Sequence, residues 1–185
     1  MSVRRVITMT RSDAKADVQQ DAPAVRQVDL KSAPGFSACL LWSTSTTPEI
    51  GKGKVADPTP HVTWVPSLGE TRLMMVTFPP DAIMRRPEFD PAAFGAEFGA
   101  GMPGFADAFE RQSPGMHCTS TVDYDVVLEG DITLELDDGR ELELHQHDVV
   151  IQNGTRHAWR NRSDKPATLL FVLVGALRTN LTVSG

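Results

Sequence analysis

The last third of this chain is written in short β-compatible runs broken by turn residues at near-regular intervals, and few folds accept that pattern. Residues 122–128 run apolar and β-branched into Glu129-Gly130. Residues 132–136 stop at Asp137-Asp138-Gly139, a hairpin turn signal. Residues 141–145 alternate polar and apolar, 149–152 are apolar, Asn153-Gly154 turns the chain again, and 157–161 and 168–174 complete the series. About six strands in roughly sixty residues define a β-sandwich or a small antiparallel barrel. A barrel of that size encloses one ligand-sized cavity lined by alternate strand residues. The 14 Gly and 13 Pro agree with a fold rich in turns and poor in long helices.

Upstream the pattern is looser. Residues 71–78 read as a strand ending at Pro79-Pro80, and 91–98 and 103–111 read as short helices. Each helix opens on Pro, whose missing N–H costs nothing at a first helical position. Phe94, Phe98, Phe105 and Phe109 recur four apart and make an apolar stripe that covers the cavity mouth or a neighbouring element. Residues 1–60 hold candidate strands at 4–9, 25–30 and 37–42 among Pro- and Gly-containing turns. We therefore expect an N-terminal extension, 1–60, packing on the barrel or on a partner subunit, and a barrel domain, 61–185.

A formal charge of −6 disfavours phosphate-rich partners, so nucleic acid is not an expected partner. No apolar run approaches the roughly 20 residues that span a bilayer, and no signal-peptide run follows Arg4-Arg5. The expectation is a cytoplasmic protein with no membrane partner, in which Cys39 and Cys118 stay free thiols.

Two spaced motifs carry the chemistry. The first reads His117, Thr119, Asp123 and Gly130; the second reads Gln152, Gly154, Thr155, His157, Trp159 and Asn161. In spacing and order these resemble the two motifs of the cupins, G-x5-H-x-H-x3/4-E-x6-G and P-x-G-x2-H-x3-N. The departures are specific. Thr119 stands where the second His is usual, Asp123 replaces Glu, Gln152 replaces Pro, and His147 falls where Gly marks a turn. A cupin subgroup with H-x-T-x3-D-Y and Q-x-G-T-x-H-x-W shares these changes, and some of its fungal members are described as oxidoreductases of secondary metabolism. The resemblance implies an all-β fold: a cupin-type small β-barrel (double-stranded β-helix, jelly roll) with an N-terminal strand extension and one or two short helices.

Two imidazoles and one carboxylate can occupy one face of an octahedral metal, leaving positions for substrate and oxygen. His117, His157 and Asp123 supply that set for a divalent transition metal: Fe(II), Mn(II), Zn(II) or Ni(II). His117 and Asp123 are the candidate proton carriers. Thr119, Gln152, Trp159 and Tyr124 are the candidate substrate contacts. His145 and His147 form an H-x-H pair at a hairpin, expected to face solvent, and Arg156 and Arg160 should face away from His157. The expected function is a metal-dependent enzyme acting on a small organic molecule, an oxidoreductase, dioxygenase or lyase. A metal-free isomerase or decarboxylase, in which Asp123 orients His117, and a non-catalytic ligand-binding barrel are the alternatives. Open sheet edges invite pairing, so a homodimer is expected.

Overall fold

A computed structural model describes residues 2–179. β1 (Arg4–Thr10) and β2 (Ala16–Pro23) form a separate antiparallel ribbon, followed by β3 (Arg26–Asp29), β4 (Ser37–Thr44) and β5 (Thr71–Phe78). After α1 (Pro91–Gly101) come β6 (Thr121–Glu129), β7 (Ile132–Glu135), β8 (Glu141–Leu144), β9 (Val149–Asn153), β10 (Ala158–Arg160) and β11 (Ala167–Gly175). A six-stranded antiparallel sheet runs β3-β4-β5-β11-β6-β9, and a three-stranded sheet runs β10-β7-β8. The fold is an all-β barrel with one α-helix.

Period-two alternation decides which side chains meet. Along β11, Ala167, Leu169, Phe171 and Leu173 are buried while their neighbours are half-exposed. Their inner faces join Met74 and Val76 of β5, Val127 of β6 and Ile132 of β7 in one core shared by both sheets. β4 departs from the alternation and is buried on both faces, Ala38 and Leu40 toward the main core, Cys39 and Leu41 toward a smaller cluster with Ala24. β3 and β4, within the segment set apart on sequence, thus belong to the large sheet. Arg5 of β1 ties the ribbon to it by donating to the Leu41 carbonyl at 3.0 Å.

Expected and observed elements differ at two places. Residues 103–111 do not form a second helix. Gly104, at φ +84°, follows Pro103, and only one short 3₁₀ turn remains at Ala106–Ala108. β2 gave no strand signal because none of its own residues is buried, so its sequence, ADVQQDAP, shows no alternation. The helix start was legible: Asp90 caps it, its carboxylate accepting from the Ala92 and Ala93 N–H groups. The Asp-Asp-Gly hairpin turn is present with φ +56° at Asp138 and +69° at Gly139. His147 does adopt φ +76°, a conformation usually left to glycine.

Candidate functional site

The two motifs meet at one rung. His117 and His157 exchange both backbone hydrogen bonds, N–H to O at 2.9 and 3.0 Å, as an isolated antiparallel bridge. A bonded pair of this kind puts its two side chains side by side on one face, and the ring centroids lie 4.2 Å apart. Each imidazole is anchored the same way. His117 Nδ1 lies 3.1 Å from the Gly115 carbonyl and His157 Nδ1 lies 2.9 Å from the Thr155 carbonyl. A carbonyl only accepts, so both Nδ1 atoms carry the proton and both Nε2 atoms keep a free lone pair.

Burial fixes their charge. Desolvation and the neighbouring His157 push His117 down to about 3, and desolvation lowers His157 as well. Both rings are therefore neutral near neutral pH. Phe109 stacks on His117 at 4.5 Å and Phe105 lies 5.7 Å from it, while Phe98 packs on Phe109 at 5.3 Å. The Phe stripe thus covers the histidines, as one reading of the sequence expected. Trp159 meets His157 edge-on at 5.9 Å and Phe171 at 5.7 Å, on the face that period-two alternation assigns it. Arg156 points the other way and clamps the Phe109 segment by donating to Glu110 at 2.6 and 2.7 Å and to Asp137 at 2.6 Å. Arg160 is likewise engaged, with Glu135. His145 is exposed and paired with Asp131.

The second part of the site lies farther along the same ladder. Thr121, Asp123, Asp125 and Val127 form the buried face of β6. Thr119 and Thr121 hydroxyls bond at 2.7 Å, and Thr121 in turn bonds the Asp123 carboxylate. Gln152 of β9 lies directly across the ladder from Asp123. Burial pushes Asp123 up to about 6, and burial plus the Asp123 charge pushes Asp125 up to about 8. Asp125 was missed on sequence, although its D-x-D spacing on a strand places it on the same face as Asp123. Tyr124 is corrected: it is exposed on the outer face of β6, because it alternates with two inward aspartates.

The donors test a metal unevenly. Two neutral imidazoles with free Nε2 lone pairs are the right chemistry for a divalent transition ion. The third expected ligand is not gathered with them: among the described residues no three His, Cys, Asp or Glu side chains are grouped to hold an ion. Asp123 lies six positions along the chain from His117. Aspartate is also one methylene shorter than the usual glutamate, so its carboxylate reaches less far. The residues fit a metal held by His117 and His157, with Asp123 left for other work. A cleft of about 680 Å³ beside Leu30, Phe36 and Lys165 includes none of these residues.

Residues 111–173 match the family model described as "Cupin domain", and this region is a cupin domain of the cupin superfamily. The chain is 54% identical over 48 residues to "Phomopsin biosynthesis cluster protein C'" of Diaporthe leptostromiformis, covering 26% of this chain and 25% of that protein. It is 41% identical over 59 residues to "Oryzines biosynthesis cluster protein J" of Aspergillus oryzae, covering 32% and 33%. It is 40% identical over 60 residues to "Cupin-domain-containing oxidoreductase srdB" of Neurospora crassa, covering 32% and 31%. These matches span a quarter to a third of the relatives' own length. Among solved structures, a Cupin 2 conserved barrel domain protein from Salinispora arenicola is 14% identical with a TM-score of 0.33, covering 56% of this chain and 62% of that one. Among the described residues no helix is long and apolar enough to cross a membrane.

Proposed function

We propose that the chain is a cupin oxidoreductase acting on a small organic molecule, with a divalent transition metal held by His117 and His157. One observation carries this reading: two buried, neutral imidazoles 4.2 Å apart, each with Nδ1–H tied to a carbonyl and Nε2 free. The relatives named as oxidoreductases support the reaction class. When bound, such a metal would supply Lewis acidity and, if it is iron or manganese, one-electron chemistry toward substrate and oxygen. The chain's own residues do the rest. Phe105, Phe109 and Trp159 exclude water from the imidazoles. Asp123, pushed up to about 6 by burial, carries the proton that the reaction moves. Thr119 and Thr121 hold that carboxylate in place, and Gln152 contacts the substrate.

Elemental analysis of protein purified without chelator tests this. We expect about one equivalent of Fe, Mn, Ni or Zn per chain, restored after chelation by adding the metal back. Less than about a tenth of an equivalent, unrestored by reconstitution, contradicts it.

A second reading, metal-free acid–base catalysis by Asp123, is supported by the finding that, among the described residues, no three His, Cys, Asp or Glu side chains are grouped to hold an ion. Turnover that survives exhaustive chelation would select it.

We further propose a homodimer formed over β9, an edge strand whose Val149 and Ile151 stand exposed beside Tyr124. Light scattering should give twice the 20.2 kDa chain mass, and a charge placed at Ile151 (Ile151→Asp) should halve it. A 20.2 kDa species for the unaltered chain contradicts this proposal.

A further inference from the structure

Among the described residues, four buried side-chain polar atoms have no hydrogen-bond partner, and three of them belong to one patch: Asp123 Oδ1, Asp125 Oδ1 and Gln152 Nε2. Asp123 and Gln152 face each other across β6 and β9, an acceptor opposite a donor, yet they do not bond each other. The Thr155 hydroxyl donates to Gln152 Oε1, which leaves the amide N–H₂ as the free end. Among the described residues no Lys, Arg or His forms an ion pair with either aspartate. Buried polar groups are satisfied in nearly all native structures, and those that are not point to a ligand. All three residues are buried, with exposures of 5% at Asp123, 4% at Gln152 and 1% at Asp125.

We infer that Asp123, Asp125 and Gln152 form a substrate subsite for an amine that carries a neighbouring carbonyl. Two carboxyl groups with unpartnered oxygens, able to ionise against an arriving cation, call for N–H donors and positive charge. The amide N–H₂ calls for an acceptor oxygen one or two bonds away. Phe171, directly across β11 from Asp125 and packed on Trp159, gives the rest of the ligand an apolar wall, so an aromatic or branched body fits beside the polar end. The substrate class is therefore an α-amino carbonyl compound with an apolar side chain. This assignment rests on the oxidoreductase reading for its role but not for its binding.

Calorimetry on the protein as purified tests it, with L-phenylalaninamide as probe and 3-phenylpropionamide, which lacks only the amine, as control. We expect the amine to bind at least about tenfold more tightly than the control. Asp125→Asn should abolish that preference while leaving the control's affinity unchanged, and Gln152→Met should weaken both. Circular dichroism establishes that each variant is folded. Equal affinity for the two probes, or binding of neither, overturns the subsite. Metal content measured on the same sample keeps the outcomes apart: metal with no amine preference sinks the subsite alone, and an amine preference without metal sinks the metal reading alone.

Discussion

His157→Ala should lose the metal and keep the fold. The imidazole contributes one of two Nε2 donors, and its ring is held by one Nδ1–H bond to the Thr155 carbonyl. The strand pairing at this rung is made by backbone atoms, which alanine retains. We expect the dissociation constant for Zn(II) or Co(II) to rise by at least about a hundredfold, more than loss of an outer hydrogen bond to a ligand costs. Turnover should fall with metal occupancy. His117→Ala should do the same, and the double variant should be no worse than either single one, because a site of two ligands fails when one is gone. Unfolding in denaturant should show a cost of about 1–3 kcal/mol for the cavity beside Phe109 or Trp159. Unchanged metal affinity in both single variants would rule out this centre.

The second large effect runs against the usual direction of a core substitution. Asp125→Asn should stabilise the protein, and increasingly so as pH rises. An unfolded aspartate releases its proton near 3.9, roughly, whereas folded Asp125 keeps it up to about 8. Between those values the folded chain holds a proton that the unfolded chain has given up, so stability falls as pH increases. Below the interval both states are protonated and the residue costs nothing; above it the full penalty applies. Asparagine cannot ionise and nearly matches the shape of the acid. After allowance for water entering the site, the gain should be about 2–4 kcal/mol at pH near 8 and close to zero near 4. His117 works oppositely. Its proton affinity is depressed to about 3 in the fold, so stability is lost as pH falls below the ordinary imidazole range. The wild-type optimum therefore lies where these slopes cross, and in Asp125→Asn it should move to higher pH. Thermal melts from pH 4 to 9 check this; a gain independent of pH would mean that Asp125 is already ionised in the fold.

These two expectations pull apart stability and binding at one residue. A carboxylate kept buried without a cation destabilises the empty barrel, and a ligand able to donate to it relieves that cost. The same logic applies to Gln152, whose free N–H₂ is left over after Thr155 takes the oxygen.

Much of the barrel was legible because its strands obey a two-residue period with glycine-bearing turns between them. The β6–β7 and β7–β8 hairpins are marked by Glu129-Gly130 and Asp137-Asp138-Gly139, and Gly130 at φ +77° leaves no room for a side chain, its would-be Cβ lying 2.6 Å from the Pro166 carbonyl. The histidines were legible from spacing, because a fixed interval before each strand fixes the rung at which they meet. Three features were not. β2 has no buried residue to impose a pattern, although its partner β1 buries Arg5 and Ile7. The segment after Met102 has apolar spacing compatible with a helix, yet Pro103 and Gly104 turn it into an irregular cap whose phenylalanines still reach the histidines. Asp125 went unread, since an acid in a β-strand usually faces water, and only its position two residues from Asp123 marks it as inward.

The paired-imidazole centre can be read directly. Pulsed electron paramagnetic resonance on Cu(II)-loaded protein counts the imidazole nitrogens bound to the ion, and Cu(II) binds such donors more tightly than the other divalent ions of its row. Two equivalent imidazoles in the native protein, and no two-imidazole signal in His117→Ala or in His157→Ala, is the expected result. A native spectrum with one imidazole or none, or one that neither substitution alters, contradicts a metal held between His117 and His157.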